Sequence, residues 1–139
     1  MKPAIIEGGC YNDARGKLLH NNAFDVTEIK RFYTIENINT DFVRAWQGHK
    51  IEQRWFMAIQ GSFKIQLIAI DNWQNPAKNL SADQYKLNAE KMDVLHIPAG
   101  YVSSIQALND DAKLLVMADY KIGELKDEYR FDVNFFNIK

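Results

Sequence analysis

The stretch that decides the fold is residues 43–70, VRAWQGHKIEQRWFMAIQGSFKIQLIAI. Both halves are rich in β-branched and aromatic residues, and they flank Gly61-Ser62, a pair that favours a tight turn. The pattern predicts three successive strands, over residues 42–50, 53–60 and 63–71, with a hairpin between the last two. The first strand carries a histidine beside an arginine and a tryptophan, a composition that suits the wall of a small-molecule pocket.

The rest of the chain continues the same pattern of short strands separated by turn residues. Helical periodicity is weak apart from a possible turn at residues 81–84, and the tail over residues 124–137 could be a short helix or a strand. Eight to ten short strands predict an all-β sandwich or barrel, and a jelly roll encloses a ligand-sized interior. Further strands are predicted over residues 28–35, 85–88, 94–97, 101–108 and 113–120.

Composition excludes several classes of partner. The 139 residues carry a net charge of −1 and a pI of about 6.3, so neither nucleic acid nor an anionic membrane is an expected partner. No apolar segment resembles a secretory signal or a membrane span. The single cysteine, Cys10, excludes an intrachain disulfide. We therefore expect a cytoplasmic protein that forms a single domain over residues 1–139.

His49 is the candidate base of the chain. Strand alternation predicts that it shares a face with Gln47, whereas Arg44 and Trp46 lie on the opposite face. An imidazole can accept a proton near neutral pH without a large shift of its pKa. The alternative is a histidine at the edge of the core whose ring is satisfied by a backbone carbonyl.

Other chemistries find less support in the sequence. His20 lies in a polar stretch typical of a solvated loop, and His96 is better explained as a structural residue. Even if His96 is counted with His49 and Glu52, the donors are too few for a catalytic metal, so we expect neither a metal nor another cofactor. Serine-nucleophile and phosphate-loop motifs are absent.

Anion and ring binding would require arginine and aromatic side chains. Arg44 and Arg54 flank the His49 segment, and arginine can grip a phosphate with two hydrogen bonds. Stacking on a base or a sugar could come from Trp46, Trp55, Tyr33 or Tyr101, although most of these rings are expected in the core.

Six short segments occur in a familiar order: residues 13–18 (DARGKL), 29–33 (IKRFY), 44–50 (RAWQGHK), 52–53 (EQ), 61–62 (GS) and 97–100 (IPAG). This ordered set resembles the cupin-fold dTDP-4-keto-6-deoxyhexose 3,4-ketoisomerases and, more distantly, the dTDP-4-keto-rhamnose 3,5-epimerases. The resemblance implies a cupin jelly roll, or double-stranded β-helix, that works without metal. It also implies a homodimer acting on a nucleotide sugar in polysaccharide biosynthesis.

The active-site signature of the ketoisomerases is changed in this chain. The family pattern Arg-Gly-x-His-x-His-Lys becomes RAWQGHK over residues 44–50, so His49 is kept and the first histidine is replaced by Gln47. In the epimerases the catalytic histidine aligns with Gln47, and the catalytic tyrosine aligns approximately with Val116. A relay between two histidines is therefore not possible here.

The resemblance assigns roles to individual residues. It places Tyr33 in the wall of the catalytic pocket, and the chemistry of a 4-keto sugar leads us to expect His49 as the base and Gln47 as a hydrogen-bond donor to the carbonyl oxygen. The expected activity is metal-independent isomerisation or epimerisation of a 4-keto-6-deoxy sugar. The alternatives are a non-catalytic cupin that binds a nucleotide sugar and a structural β-domain within a complex. The predicted substrate-binding residues are Arg15, Arg31, Arg44, Lys50, Trp46 and Tyr101.

Overall fold

The computed structural model describes residues 1–138, which form twelve strands and no helix. Ten strands form two five-stranded antiparallel sheets, and the other two form a separate hairpin. Among the described residues there is accordingly no helix long and apolar enough to cross a membrane. The strands are β1 Ala4–Ile6, β2 Gly9–Asp13, β3 Gly16–His20, β4 Arg31–Ile35, β5 Val43–His49, β6 Arg54–Gln60, β7 Ser62–Ala69, β8 Asp83–Asn88, β9 Val94–Ile97, β10 Tyr101–Ala107, β11 Lys113–Ala118 and β12 Tyr129–Arg130.

The two sheets pack face to face around one apolar cluster. The first has the order β1-β9-β6-β11-β4 and the second the order β12-β5-β10-β7-β8. Strand β7 shows why they pack: Phe63, Ile65 and Leu67 alternate with polar residues and are almost completely buried. Period-2 alternation of this kind places one face of a strand in the core. The predicted all-β jelly-roll fold is confirmed.

Most strand predictions agree with the structure to within three residues. The exceptions are at the N-terminus, where strands β1, β2 and β3 were not predicted. His20 ends β3 and is half-buried, so its expected place in a solvated loop is wrong. The helical turn at residues 81–84 is also wrong, because Asp83 begins β8.

The C-terminal tail covers the outer face of the second sheet. Phe136 packs edge-on against Trp46, with their ring centroids 5.6 Å apart. The Trp46 indole donates a hydrogen bond to the carbonyl of Val133, at 3.3 Å. The tail contains only the two-residue strand β12, which pairs with Gln47 and Gly48 of β5. This docking brings the segment before β12 to the His49 end of the sandwich.

A register shift in β5 changes which side chains share a face. Ser103 of β10 is opposite Gln47, but Ile105 is opposite Arg44, so β5 has one residue more than its partner here. Such a bulge interrupts the alternation of side chains. Arg44 and Gln47 consequently line the same groove, and the prediction that they face opposite ways is wrong.

Candidate active site

A two-part cavity opens between the sheets at the His49 end. An inner recess of about 30 Å³ has room for little more than one small group, and an outer cavity of about 220 Å³ has room for a larger one. Both are lined by Tyr33, Gln47, His49 and Arg54, which come from β4, β5 and β6. The sequence prediction that His49 and Gln47 share a pocket face therefore agrees with the geometry.

The backbone fixes the tautomer of His49. Its Nδ1 lies 3.1 Å from the carbonyl oxygen of Asp127. A carbonyl oxygen can only accept, so Nδ1 carries the proton and Nε2 keeps a free lone pair. The His49 side chain is only 11% exposed. The ring is thus held in the form in which Nε2 can act as a base.

The electrostatic surroundings keep the His49 ring neutral. Burial lowers its pKa below the ordinary value of 6.5, and the positive charge of Arg54 lowers it further. Glu52 and Asp127 act in the opposite direction because they favour the imidazolium. The net lowering leaves the base form of His49 populated at neutral pH.

A nearly buried ion pair lies next to His49. The guanidinium of Arg54 binds the Glu52 carboxylate at 2.9 Å, and the other Glu52 oxygen is 3.9 Å from His49 Nδ1. Arg54 is 7% exposed and lines both parts of the cavity. A positive charge beside the base can stabilise an oxyanion formed there. Sequence reasoning weighed Arg54 only as a phosphate ligand.

Asp127 attaches the C-terminal segment to the His49 turn. Its buried carboxylate accepts hydrogen bonds from the backbone N–H groups of Lys50, Ile51 and Glu52, at 3.0, 2.8 and 2.7 Å. Hydrogen bonds to a charged acceptor are stronger than neutral ones. Sequence reasoning missed Asp127, because a partner more than 70 residues away leaves no local signal.

Three potential metal donors converge at this site, but each is already engaged. Donor atoms of His49, Glu52 and Asp127 lie within 4.8 Å of one another. The Asp127 oxygens are bound to backbone N–H groups, Glu52 is paired with Arg54, and His49 Nδ1 is bound to a carbonyl. A cation would also lie next to the Arg54 charge, so this donor set fits a metal poorly.

His96, the third donor considered from sequence, lies elsewhere. Its ring stacks on Trp55 with centroids 5.1 Å apart, on the outer face of the first sheet. Its Nε2 is 2.6 Å from the side-chain oxygen of Gln53. These contacts agree with the structural role that was favoured for His96.

Gln47 contacts a charged pair that sequence reasoning missed. Its side-chain amide donates a hydrogen bond to the Glu128 carboxylate, which also binds Arg130 at 2.9 Å. Glu128 lines the outer cavity together with His49. The acidic pair Asp127-Glu128 was visible in the sequence, but nothing in the sequence showed that it faces β5.

Four further predicted residues lie at or near this cavity. Tyr33 lines both of its parts, and the Arg31 guanidinium lies 4.5 Å from the centre of the Tyr33 ring. Tyr101 lines the inner recess; its pKa is raised by burial and by the charge of Asp83. Arg44 lines an adjoining groove with Arg31 and Gln47.

Three predicted substrate-binding residues lie outside the cavity. Trp46 is buried beneath the tail, so its indole cannot contact a ligand there. The Lys50 side chain is exposed and lines neither part of the cavity. Arg15 is at the tip of the β2–β3 hairpin, bound to Asp13 at 2.6 Å. Within one chain, the structure therefore does not bring these three predicted substrate ligands together with His49.

A family model and several solved structures match this chain. The family model described as "FdtA: WxcM-like, C-terminal" matches residues 1–138. A 3,4-ketoisomerase from Helicobacter canadensis has a similar structure, with a TM-score of 0.72 and 26% identity over 97% of this chain and 95% of that one. None of the curated proteins matches the chain.

Two further solved structures share the fold. A mutant of the 3,4-ketoisomerase QdtA from Thermoanaerobacterium thermosaccharolyticum, in complex with TDP-4-keto-6-deoxyglucose, has a TM-score of 0.71 and 24% identity, covering 94% of this chain and 88% of that one. The 3'-monoepimerase ChmJ from Streptomyces bikiniensis, in complex with dTDP-quinovose, has a TM-score of 0.75 and 14% identity, covering 94% and 70%. These likenesses confirm the cupin-type jelly roll.

The surroundings of His49 predict its titration. An NMR titration should give a midpoint below 6.5, and Glu52→Gln should lower it further because a charge that favours the imidazolium is lost. The exposed control Glu90→Gln should not move it. Since the folded state then binds fewer protons than the unfolded state, the His49 contribution to stability should fall as pH drops below 6.5. A midpoint above 6.5, or an upward move in Glu52→Gln, would contradict this account.

The Asp127 attachment predicts a loss of stability on substitution. Asp127→Asn should lower the free energy of unfolding by about 1.5–3 kcal/mol, because one carboxylate oxygen becomes an N–H group facing other N–H groups. The matched control Asp132→Asn changes an exposed carboxylate of the same tail and should cost less than about 0.5 kcal/mol. Equal denaturation midpoints for the two variants would show that Asp127 does not hold the segment.

Proposed function

Because the chain belongs to the FdtA family of WxcM-like C-terminal domains, we propose that it isomerises a nucleotide-linked 4-keto-6-deoxy sugar without a metal ion or other cofactor. The observation that carries this proposal is His49, which is largely buried, has its Nδ1 bound to the Asp127 carbonyl, and lines a cavity with Tyr33, Gln47 and Arg54. Two structurally similar 3,4-ketoisomerases, one of them in complex with TDP-4-keto-6-deoxyglucose, add support.

The reaction follows from the acidity of the proton next to a ketone. His49 Nε2 takes the proton from C3 of the sugar, the C–H electron pair forms the C3=C4 double bond, and charge moves to O4. Arg54 and the Gln47 amide can stabilise that oxyanion. Return of the proton to C4, with loss of the O3 proton to form the C3=O bond and protonation of O4, moves the ketone to C3, whereas return to the opposite face of C3 inverts that centre.

The nucleotide part would occupy the groove beside the cavity. Arg31 and Arg44 line it, and both were expected to contact substrate. Arginine binds phosphate through paired N–H groups, so these side chains suit a diphosphate. Tyr33, which lines both groove and cavity, would then lie where the diphosphate joins the sugar.

A second candidate is a cupin that binds the nucleotide sugar without turning it over. The observation in its favour is Gln47, because an amide cannot transfer protons as the replaced family histidine can. Loss of a general acid or base typically slows a reaction by about 10²–10⁴-fold. The two candidates differ in turnover, not in ligand.

We also propose that two copies associate through the β2–β3 hairpin. The hairpin belongs to neither large sheet, and Tyr11 and Leu18 on it are 58% and 57% exposed. A two-stranded hairpin is only marginally stable in water by itself, so packing on a second copy would stabilise it. Such packing could also bring Arg15 of one copy into the site of the other copy. We expect the pair to act in the cytoplasm, where the exposed thiol of Cys10 stays reduced.

Deuterium exchange tests the proposed activity. We expect the wild type to incorporate deuterium from D₂O at C3 of a dTDP-4-keto-6-deoxy sugar, and His49→Asn to lower the rate at least about 100-fold. The control His20→Asn, on the hairpin, should keep most of the activity.

Binding by the same proteins separates the two candidates. Thermal stabilisation by dTDP without exchange on any sugar of a panel would favour the binding-only cupin. Exchange by His49→Asn at the wild-type rate would remove His49 as the base.

Light scattering tests the association. We expect the wild type to have the mass of a dimer, and Leu18→Asp to shift it toward the monomer because a charge is placed on the apolar face of the hairpin. Leu108→Asp, at an exposed position outside the hairpin, should leave the mass unchanged. A monomeric wild type, or equal masses for all three proteins, would contradict the hairpin-mediated pair.

A further inference from the structure

We infer that Glu128 is a second proton-transferring group of this site and supplies the function that Gln47 cannot. The inference rests on the proposed function and deepens it, because it selects ketone transfer rather than inversion as the reaction. A ketone shift from C4 to C3 moves two protons, one between the carbons and one between the oxygens. His49 accounts for the first of these, and a second group is needed for the other.

The position of Glu128 suits this role. Its carboxylate accepts a hydrogen bond from the Gln47 amide, so it lies directly beside the residue that replaces the family histidine. Glu128 lines the outer cavity with His49 and the adjoining groove with Arg44. Its side chain is 50% exposed, which leaves it open to substrate and to solvent.

Glu128 is also held in place from both sides along the chain. The preceding residue, Asp127, is bound through its carboxylate to three N–H groups of the turn after β5. The following residues, Tyr129 and Arg130, pair with Gly48 and Gln47 in the sheet. Arg130 also binds the Glu128 carboxylate. A group fixed in this way loses little freedom when substrate binds, as proton transfer requires.

The other titratable side chains around the outer cavity are less suitable. The Asp127 oxygens are occupied by backbone N–H groups, and Glu52 is paired with Arg54 on the Nδ1 side of His49, away from Nε2. Lys121 is exposed at the rim. Tyr33 is the remaining competitor, because it lines the same cavity.

The proton transfers balance as follows. His49 takes the C3 proton, the C3=C4 bond forms, and the carbonyl pair becomes a negative charge on O4. The Glu128 carboxylate then takes the O3 proton, the O–H pair forms the C3=O bond, and the C3=C4 pair takes the proton from His49 at C4. Glu128 finally gives its proton to O4. Both residues return to their starting states, and no oxidant or reductant is needed.

The test separates exchange at carbon from movement of the ketone. In D₂O with a dTDP-4-keto-6-deoxy sugar, Glu128→Gln should keep C3 deuteration within about threefold of wild type, because His49 is intact. Formation of the 3-keto sugar should fall at least about 100-fold, the usual cost of losing an acid–base group. His49→Asn should lose both signals. The control Glu124→Gln changes an exposed carboxylate of the same segment and should keep both.

Several results would overturn the inference. The first is formation of the 3-keto sugar at the wild-type rate in Glu128→Gln. The second is an equal loss of C3 deuteration and 3-keto formation in that variant. The third is a loss of 3-keto formation alone in Tyr33→Phe instead of in Glu128→Gln. A wild type that yields only the C3 epimer would also overturn it. A wild type without exchange on any sugar would remove the proposed function and the inference together, whereas an active wild type with an equally active Glu128→Gln removes the inference alone.

Discussion

The site depends on the bonds that Asp127 makes with the turn after β5. Its carboxylate accepts three backbone N–H groups from residues 50–52, and its carbonyl accepts the proton on His49 Nδ1. One residue therefore closes the end of the sandwich, selects the His49 tautomer and brings Glu128 to Gln47. Without these bonds the tail would still have its aromatic contacts with Trp46, but the cavity would lose its wall.

The charges around His49 oppose one another, and their balance suits a base. Burial and Arg54 favour the neutral ring, while Glu52 and Asp127 favour the imidazolium that forms when a proton is taken. A ring that is neutral at rest and lies beside carboxylates that favour its charged form can both accept and return a proton. The same Arg54 charge is available to the oxyanion that appears as His49 becomes positive. In the proposed transfer, Glu52 thus stabilises the imidazolium and Arg54 stabilises the oxyanion.

Local pattern was sufficient for most of the fold and for the centre of the site. The alternation around Phe63 and Leu67 predicts β7 and its buried face, and His49 is prominent because the chain has only three histidines. The bulge in β5 was not predictable from alternation, since it depends on how β10 pairs with it, and it changes the face of Arg44. Asp127 and Glu128 were missed because their partners lie more than 70 residues away. Arg15 shows a different limit of prediction from sequence, because the hairpin that carries it does not line the His49 cavity of its own chain.

The central claim is that His49 is the base that removes the proton from C3 of the sugar. The most direct measurement is a crystal structure of the His49→Asn variant with a dTDP-4-keto-6-deoxy sugar bound. The account predicts that C3 of the sugar lies about 3–3.5 Å from the side chain of residue 49, the range of a reactive contact, with O4 facing Arg54. A sugar whose C3 faces away from residue 49, or one bound outside this cavity, would contradict it.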